Sequence, residues 1–185
     1  ASDVYKRQHQ HTGAAQRLLA AFGIGAVGQV GHQPGRALHA VQAARHYLSF
    51  FQGRTSQWSA PDQRLLRAVV PENRLRVYDT RTAMVGLVDE GSLLLLRTGF
   101  GAGIHTALAR IEGRPVGLLA NNPQHLGGAI DADAADKGAR FMQLCNAHGL
   151  PIVSLVDTPG FMVGPEVEKT AQVRHVSRLF VTAAK

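Results

Sequence analysis

The sequence predicts an α/β domain, and three observations carry that reading. The second half alternates apolar runs of strand length with amphipathic stretches of helix length, in the order strand–strand–helix–strand–helix. The chain has 185 residues, 45% of them hydrophobic, which is enough for one domain with a sizeable core. No segment of roughly 20–50 residues repeats, which argues against a solenoid or a propeller.

From the start of the chain, ASDVYKRQ reads as a boundary scar and not as native structure. AAQRLLAAF follows as a helical piece, and GIGAVG (Gly23 to Gly28) as a glycine-rich loop. GIGAVG matches G-x-G-x-x-G, but a dinucleotide site needs a preceding strand and an acidic residue about 20 positions on. Here a helical piece precedes the loop and the next acid is Asp62. RALHAVQAARHYLSFFQG predicts an amphipathic helix with Leu38, Val41, Tyr47, Leu48 and Phe51 near one face and Gly53 as its stop. GRTSQWSAP is a polar connector and the best internal boundary. DQRLLRAVV gives a short helical piece ending at Pro71, and TRTAMVGLVDE a helix that starts near Asp79 or Thr80. SLLLLRTGFG predicts a buried strand running into a glycine-rich turn.

The second half is clearer. IHTALARIEGRPVGLLANNP predicts a β-hairpin around Glu112-Gly113-Arg114. The loop QHLGGAIDADA leads into a helix over ADKGARFMQLCNAHG, with Asp133 or Asp136 near its start. Phe141, Leu144, Cys145 and His148 fall on one face of that helix, and Gly149 follows its end. PIVSLVDTPG is a strand closing in a turn. EVEKTAQVRHVSRLFVTAAK reads as one helix with acids early and bases late, the order the helix dipole favours. It reaches Lys185 without a Gly or Pro, as if cut in mid-element.

Charge and composition exclude several function classes. Net charge is +7, yet residues 1–61 hold six Lys/Arg against the single acid Asp3, and the remainder is nearly balanced. The arginines of the first third are scattered, without the clustering or aromatic interleaving of a nucleic-acid surface. The apolar stretch LLAAFGIGAV is far shorter than the roughly 20 residues a membrane span needs. The lone Cys145 leaves no intramolecular disulfide or Cys-rich zinc site and suits a reducing compartment.

Side-chain chemistry is sparse. Asp157-Thr158-Pro159-Gly160 resembles the strand end beside the γ-phosphate in GTPases, but no G-x-x-x-x-G-K-[ST] occurs; GFGAGIHT lacks the lysine. The nine histidines include no His-Glu-x-x-His, so metal is not expected. Ser154 sits in a strand without a Gly-x-Ser-x-Gly context, and Cys145 on an apolar helix face. What remains is backbone chemistry at LGGAIDADAADKGARF. Glycines before a helix N-terminus let amide N–H groups approach a carbonyl or enolate oxygen. The same residues equally suit a tight strand-to-helix connection.

At this loop the sequence becomes recognisable. ARIEGRPVGLLANNPQHLGGAIDADAADKGARFMQLCNAHGLPIVSLVDTPGFMVGPEVEKTAQVRH resembles the C-terminal half of biotin-dependent acyl-CoA carboxyltransferases, the β-type subunits of propionyl-CoA and acetyl-CoA carboxylases. Matching features include Gly113 to Gly117, Asn121, Gly128, Asp131, Lys137 to Phe141, Asp157, Pro159-Gly160-Phe161 and Arg174-His175. The resemblance runs from about Ala37 to Lys185, while residues 1–36 match poorly. It implies a crotonase-like fold of ββα units, here a partial domain. Residues 37–61 would close the N-terminal carboxyltransferase domain, and residues 62–185 would begin the C-terminal one.

The resemblance further implies transfer of CO2 from carboxybiotin to the α-carbon of an acyl-CoA. The biotin is carried on a partner protein or domain, and the partner is a biotin carboxylase/biotin carrier subunit. The complete protein would be a cytoplasmic homo-oligomer, at least a dimer, with no nucleic-acid or membrane partner. Both family oxyanion loops are expected outside this chain, so no catalytic residue is assigned. Gly127, Gly128 and Ala129 are expected to contact the cleft, with Asp131 and Lys137 holding the loop and capping the helix. Pro159, Gly160 and Phe161 are expected to line its wall, and Asp157 to end a core strand on the biotin side. On this reading Gly128→Val stops transfer and spares the fold. The rivals are a biotin-dependent acyl-CoA decarboxylase subunit and a catalytically dead assembly domain.

Overall fold

The computed structural model describes residues 34–73 and 77–185. AAQRLLAAF, GIGAVG and the Leu38 side chain lie outside the described residues. Along the chain run α1 (Pro34–Ser49), a 3-10 turn (Gln63–Ala68) and α2 (Thr80–Leu87), then β1 (Leu94–Leu96), β2 (Ile104–Ile111) and β3 (Arg114–Asn121). A second 3-10 turn (Leu126–Gly128) leads to α3 (Ala132–Ala147), β4 (Ile152–Leu155), α4 (Pro165–Glu168) and α5 (Gln172–Ala183).

The strands form one sheet in the order β1-β2-β3-β4, antiparallel except for the parallel β3–β4 pair. The β2–β3 hairpin closes on Glu112 and Gly113, whose φ angles of 52° and 75° suit a two-residue primed turn. Asp89 pins that turn, accepting from the N–H groups of Glu112 at 2.9 Å and Gly113 at 2.7 Å. The parallel step from β3 to β4 needs a long crossover, and α3 supplies it.

Alternation at period two gives the sheet two apolar faces. Leu96, Ile104, Leu108 and Leu119 pack with Phe50 from beyond α1, Phe141 and Cys145 of α3, Leu150 just after it, and Val176 of α5. Ala107, Ala109, Val116, Leu118 and Ala120 face the other way, onto Met84 and Val88. The result is α2, then the sheet, then α3 and α5.

Five expectations are corrected. Val41 and Leu48 of α1 are 53% and 56% exposed; the anchor is Phe50, fully buried just past the helix end. The crossover helix starts at Ala132 and not at Ala135; Asp133 stands in its first turn and Asp131 caps it, both as expected, the Asp131 Oδ1 accepting from Ala134 N–H at 2.8 Å. The last helix is two helices, broken at Ala171, whose φ of 56° lies in the left-handed region. There the buried Gln172 turns inward, its Nε2 donating to Ile130 O at 2.9 Å. β4 is the sheet's edge among the described residues rather than a core strand, with Ser154 exposed and Val156 74% exposed. β1 is likewise only half-buried at Leu94 and Leu95.

Candidate active site

Strands β3 and β4 are parallel, so both loops that leave their C-terminal ends emerge on one side of the sheet. That is where α/β sheets place ligands. The loop after β3 carries Gly127, Gly128, Ala129 and Asp131; the loop after β4 carries Asp157, Pro159, Gly160 and Phe161. A parallel bridge between Ile130 and Phe161 joins them. Its bonds run from Ile130 N–H to Gly160 O and from Met162 N–H to Ile130 O, each 3.0 Å. The buried Asn121 ties the base of both loops, its Oδ1 accepting from Asp157 N–H at 3.1 Å.

The glycines divide by role. Gly127 is exposed at φ 62°, with nothing within 4 Å of where a Cβ would stand. Its N–H has no hydrogen-bond partner among the described residues. Gly128 and Ala129 are buried, and their N–H groups are already given to His125 O at 2.9 Å and Leu126 O at 3.2 Å. A Cβ on Gly128, at φ 88°, would stand 2.8 Å from the Asp157 backbone oxygen. Gly128 therefore serves the close approach of the two loops. A valine there meets backbone, which is at odds with the expectation that it spares the fold.

Asp131 caps α3 and also faces His125 Nε2 at 2.9 Å, so one carboxylate ties the loop to the helix start. Lys137 neither caps the helix nor holds this loop. It is 2% exposed, lies within α3, and its Nζ donates to Gly101 O at 3.3 Å in the β1–β2 turn. Burial, with the Arg97 charge second, pushes its ammonium down to about 8. His105, at the start of β2, is pushed down as well, by burial and then by the charges of Lys137 and Arg81. Pro159 is exposed, while Gly160 and Phe161 are half-buried; Phe161 packs edge-on against Phe180 of α5 at 5.3 Å.

Sequence reasoning missed Tyr78, Asn121's bridging amide and His125. Tyr78 Oη donates to Asp157 Oδ2 at 2.8 Å, and partial burial followed by that bond pushes the phenol up to about 12. Its one local signal is position: it precedes Asp79, the cap of α2, so its backbone direction is set by the helix start. Among the described residues no group of three or more His, Cys, Asp or Glu could hold a metal, and no helix is long and apolar enough to cross a membrane.

A family model described as the carboxyl transferase domain matches residues 25–184. The chain belongs to the carboxyl transferase domain family. The propionyl-CoA carboxylase carboxyltransferase subunit of Haloferax mediterranei is 33% identical over 149 residues, which are 76% of this chain and 29% of that protein. A solved single-chain, multi-domain long-chain acyl-CoA carboxylase is 58% identical with a TM-score of 0.78, covering 79% of this chain and 15% of that one. The transcarboxylase 12S hexamer, solved with hydrolysed methylmalonyl-CoA bound, is 32% identical with a TM-score of 0.69, over 77% of this chain and 29% of its own. The chain thus spans about 29% of the length of the curated relatives that head the comparison. These neighbours bear out the crotonase-like α/β fold expected from the family resemblance.

Proposed function

We propose that this chain forms the carboxybiotin side of a cleft in which CO2 passes to the α-carbon of an acyl-CoA. The observation that carries the reading is the Ile130–Phe161 bridge, which sets the Gly127 loop against the Pro159–Phe161 loop in a chain of this family. Carboxybiotin, brought by a carrier protein or carrier domain, would supply the CO2. A neutral ureido carbonyl is recognised by N–H donors rather than by ions, and the exposed, unpaired N–H of Gly127 suits it. Of the three residues expected to contact the cleft through backbone amides, Gly127 alone keeps its donor free.

The remaining residues orient and exclude. Gly128 brings the loops to contact distance of the Asp157 carbonyl, and Phe161 supplies an apolar wall backed by Phe180. The two carboxylates of the site are already engaged, Asp131 by His125 and the helix start, Asp157 by Tyr78. They act as anchors, and the reading assigns neither a proton transfer. The complete enzyme is read as a homo-oligomer that meets a biotin carboxylase and its carrier. The 58% identity to a long-chain acyl-CoA carboxylase favours a long acyl chain.

The test supplies radiolabelled carboxybiotin on its carrier and a series of acyl-CoAs to the full-length protein in its native form. Labelled carboxyacyl-CoA, formed best with long chains, is the expected product. Release of CO2 from carboxyacyl-CoA without net carboxylation would favour the decarboxylase. Oligomerisation with neither binding nor transfer would favour the assembly domain.

A further inference from the structure

We propose that Tyr78 is a positioning residue for this site, holding the Asp157–Phe161 wall at its working distance from the Gly128 loop. The proposal rests on the reading that these loops border the carboxybiotin. Asp157 is gripped on three sides. Its carboxylate accepts from Tyr78 Oη at 2.8 Å, its N–H donates to Asn121 Oδ1 at 3.1 Å, and its carbonyl lies against Gly128, 2.8 Å from where a Cβ would stand.

Tyr78 is itself held in place. The next residue, Asp79, caps α2 by accepting from Arg81 N–H at 3.0 Å. The buried Thr80 then donates its hydroxyl to Asn121 O at 2.6 Å. Tyr78, Thr80, Asn121 and Asp157 thus close a ring that ties the entry of α2 to the ends of β3 and β4. Within the wall, Thr158 Oγ1 accepts from Gly160 N–H at 3.0 Å, so the turn is braced and moves as a unit. A shift at Asp157 is passed to Gly160, whose carbonyl receives Ile130 N–H in the bridge between the loops. Without the phenol the exposed end of this ring loses the only side-chain donor to the Asp157 carboxylate among the described residues. Asp157 then orients itself through water instead.

Tyr78→Phe removes one hydroxyl and no bulk, so it isolates the bond from packing. In the full-length protein we expect kcat/KM for carrier carboxybiotin to fall about five- to tenfold, mainly through KM, with KM for acyl-CoA unchanged. Hydrogen–deuterium exchange of the 157–162 segment should quicken while Tm stays near wild type. The doubly substituted Tyr78→Phe/Asp157→Ala protein should be no worse than Asp157→Ala alone, because both remove one interaction. Equal losses for both substrates together with a lowered Tm would make Tyr78 an ordinary structural residue and overturn the proposal, as would additive effects. If the wild type transfers no CO2, the functional reading fails by itself. The exchange experiment then decides alone, and unchanged exchange in 157–162 refutes the clamp.

Discussion

Replacing Gly127 and Gly128 by alanine, one at a time, separates conformational strain from close packing at the same turn. Both residues have positive φ, 62° and 88°. An L-residue in the left-handed region costs roughly 1–2 kcal/mol, partly offset by the smaller entropy of the unfolded alanine chain. For Gly127 nothing stands within 4 Å of the added methyl, so the loss should stay at about 0.5–1 kcal/mol. Gly128 adds a methyl 2.8 Å from the Asp157 backbone oxygen, which cannot swing away as a side chain could. Relieving that overlap by about half an ångström of backbone movement costs a further 1–3 kcal/mol, for a total of about 1.5–4 kcal/mol. The movement has to open the Ile130–Gly160 bond at 3.0 Å, so the site is damaged along with stability. Urea unfolding followed by tryptophan fluorescence gives the stabilities, and the transfer assay gives the activity. If Gly128→Ala proves no more destabilising than Gly127→Ala, the contact between the two loops does not hold them, and the case for a built wall fails.

Three further outcomes follow from buried groups. Lys137 has a folded pKa of about 8 against 10.5 for the free side chain, so between those values the unfolded chain binds more protons and stability rises with pH. Lys137→Met should be at least as stable as wild type at pH 7, with its advantage shrinking as pH climbs from about 8 to about 10.5; unfolding curves that stay parallel across this window would refute it. Arg110, 8% exposed, donates to the carbonyls of Ser49, Gly53 and Gly113 at 2.6–3.0 Å and lies over the Phe50 ring. Arg110→Met leaves the Gly53 carbonyl without a donor, while those of Ser49 and Gly113 keep the N–H groups of Gln52 and Thr55, and it should lose about 2–3 kcal/mol in urea titrations; Arg110→Lys should recover only part of it because an ammonium lacks the planar fork. Burial pushes the Cys145 thiol up to about 12, so a thiol reagent should label it only at the rate of unfolding; rapid labelling of native protein would mean that the packing of α3 on the sheet is wrong.

Local rules account for what could be read from the chain alone. The two apolar runs flanking Glu112-Gly113 gave the hairpin because the turn needs positive φ at both residues, and the helix-length segment after β3 gave the crossover helix. The family resemblance likewise rests on residues adjacent in the chain, Gly128 to Phe141 and Asp157 to Phe161. Errors began where distant segments compete. Val41 and Leu48 have a helical period yet face outward, because Phe50 and Phe51 beyond the helix end reach the core first. The break at Ala171 carries no glycine or proline; it follows from Gln172 bonding Ile130, a residue 42 positions away. Lys137, expected from its place in the motif to hold the loop and cap the helix, instead directs its ammonium to Gly101 across the sheet end.

The sequence by itself determined the α/β class, the order of the strands and the crossover helix, the family and the two short loops worth watching. Each of these depends on residue type and spacing within a few turns of chain. Only the tertiary structure decided which amides of the Gly127–Ala129 turn remain free, that Gly128 is a contact between loops, and that Tyr78 grips Asp157 from 79 residues upstream. Those facts depend on which backbone groups have been used by the rest of the fold, and hydrogen-bond satisfaction is a property of the packed molecule, not of any segment.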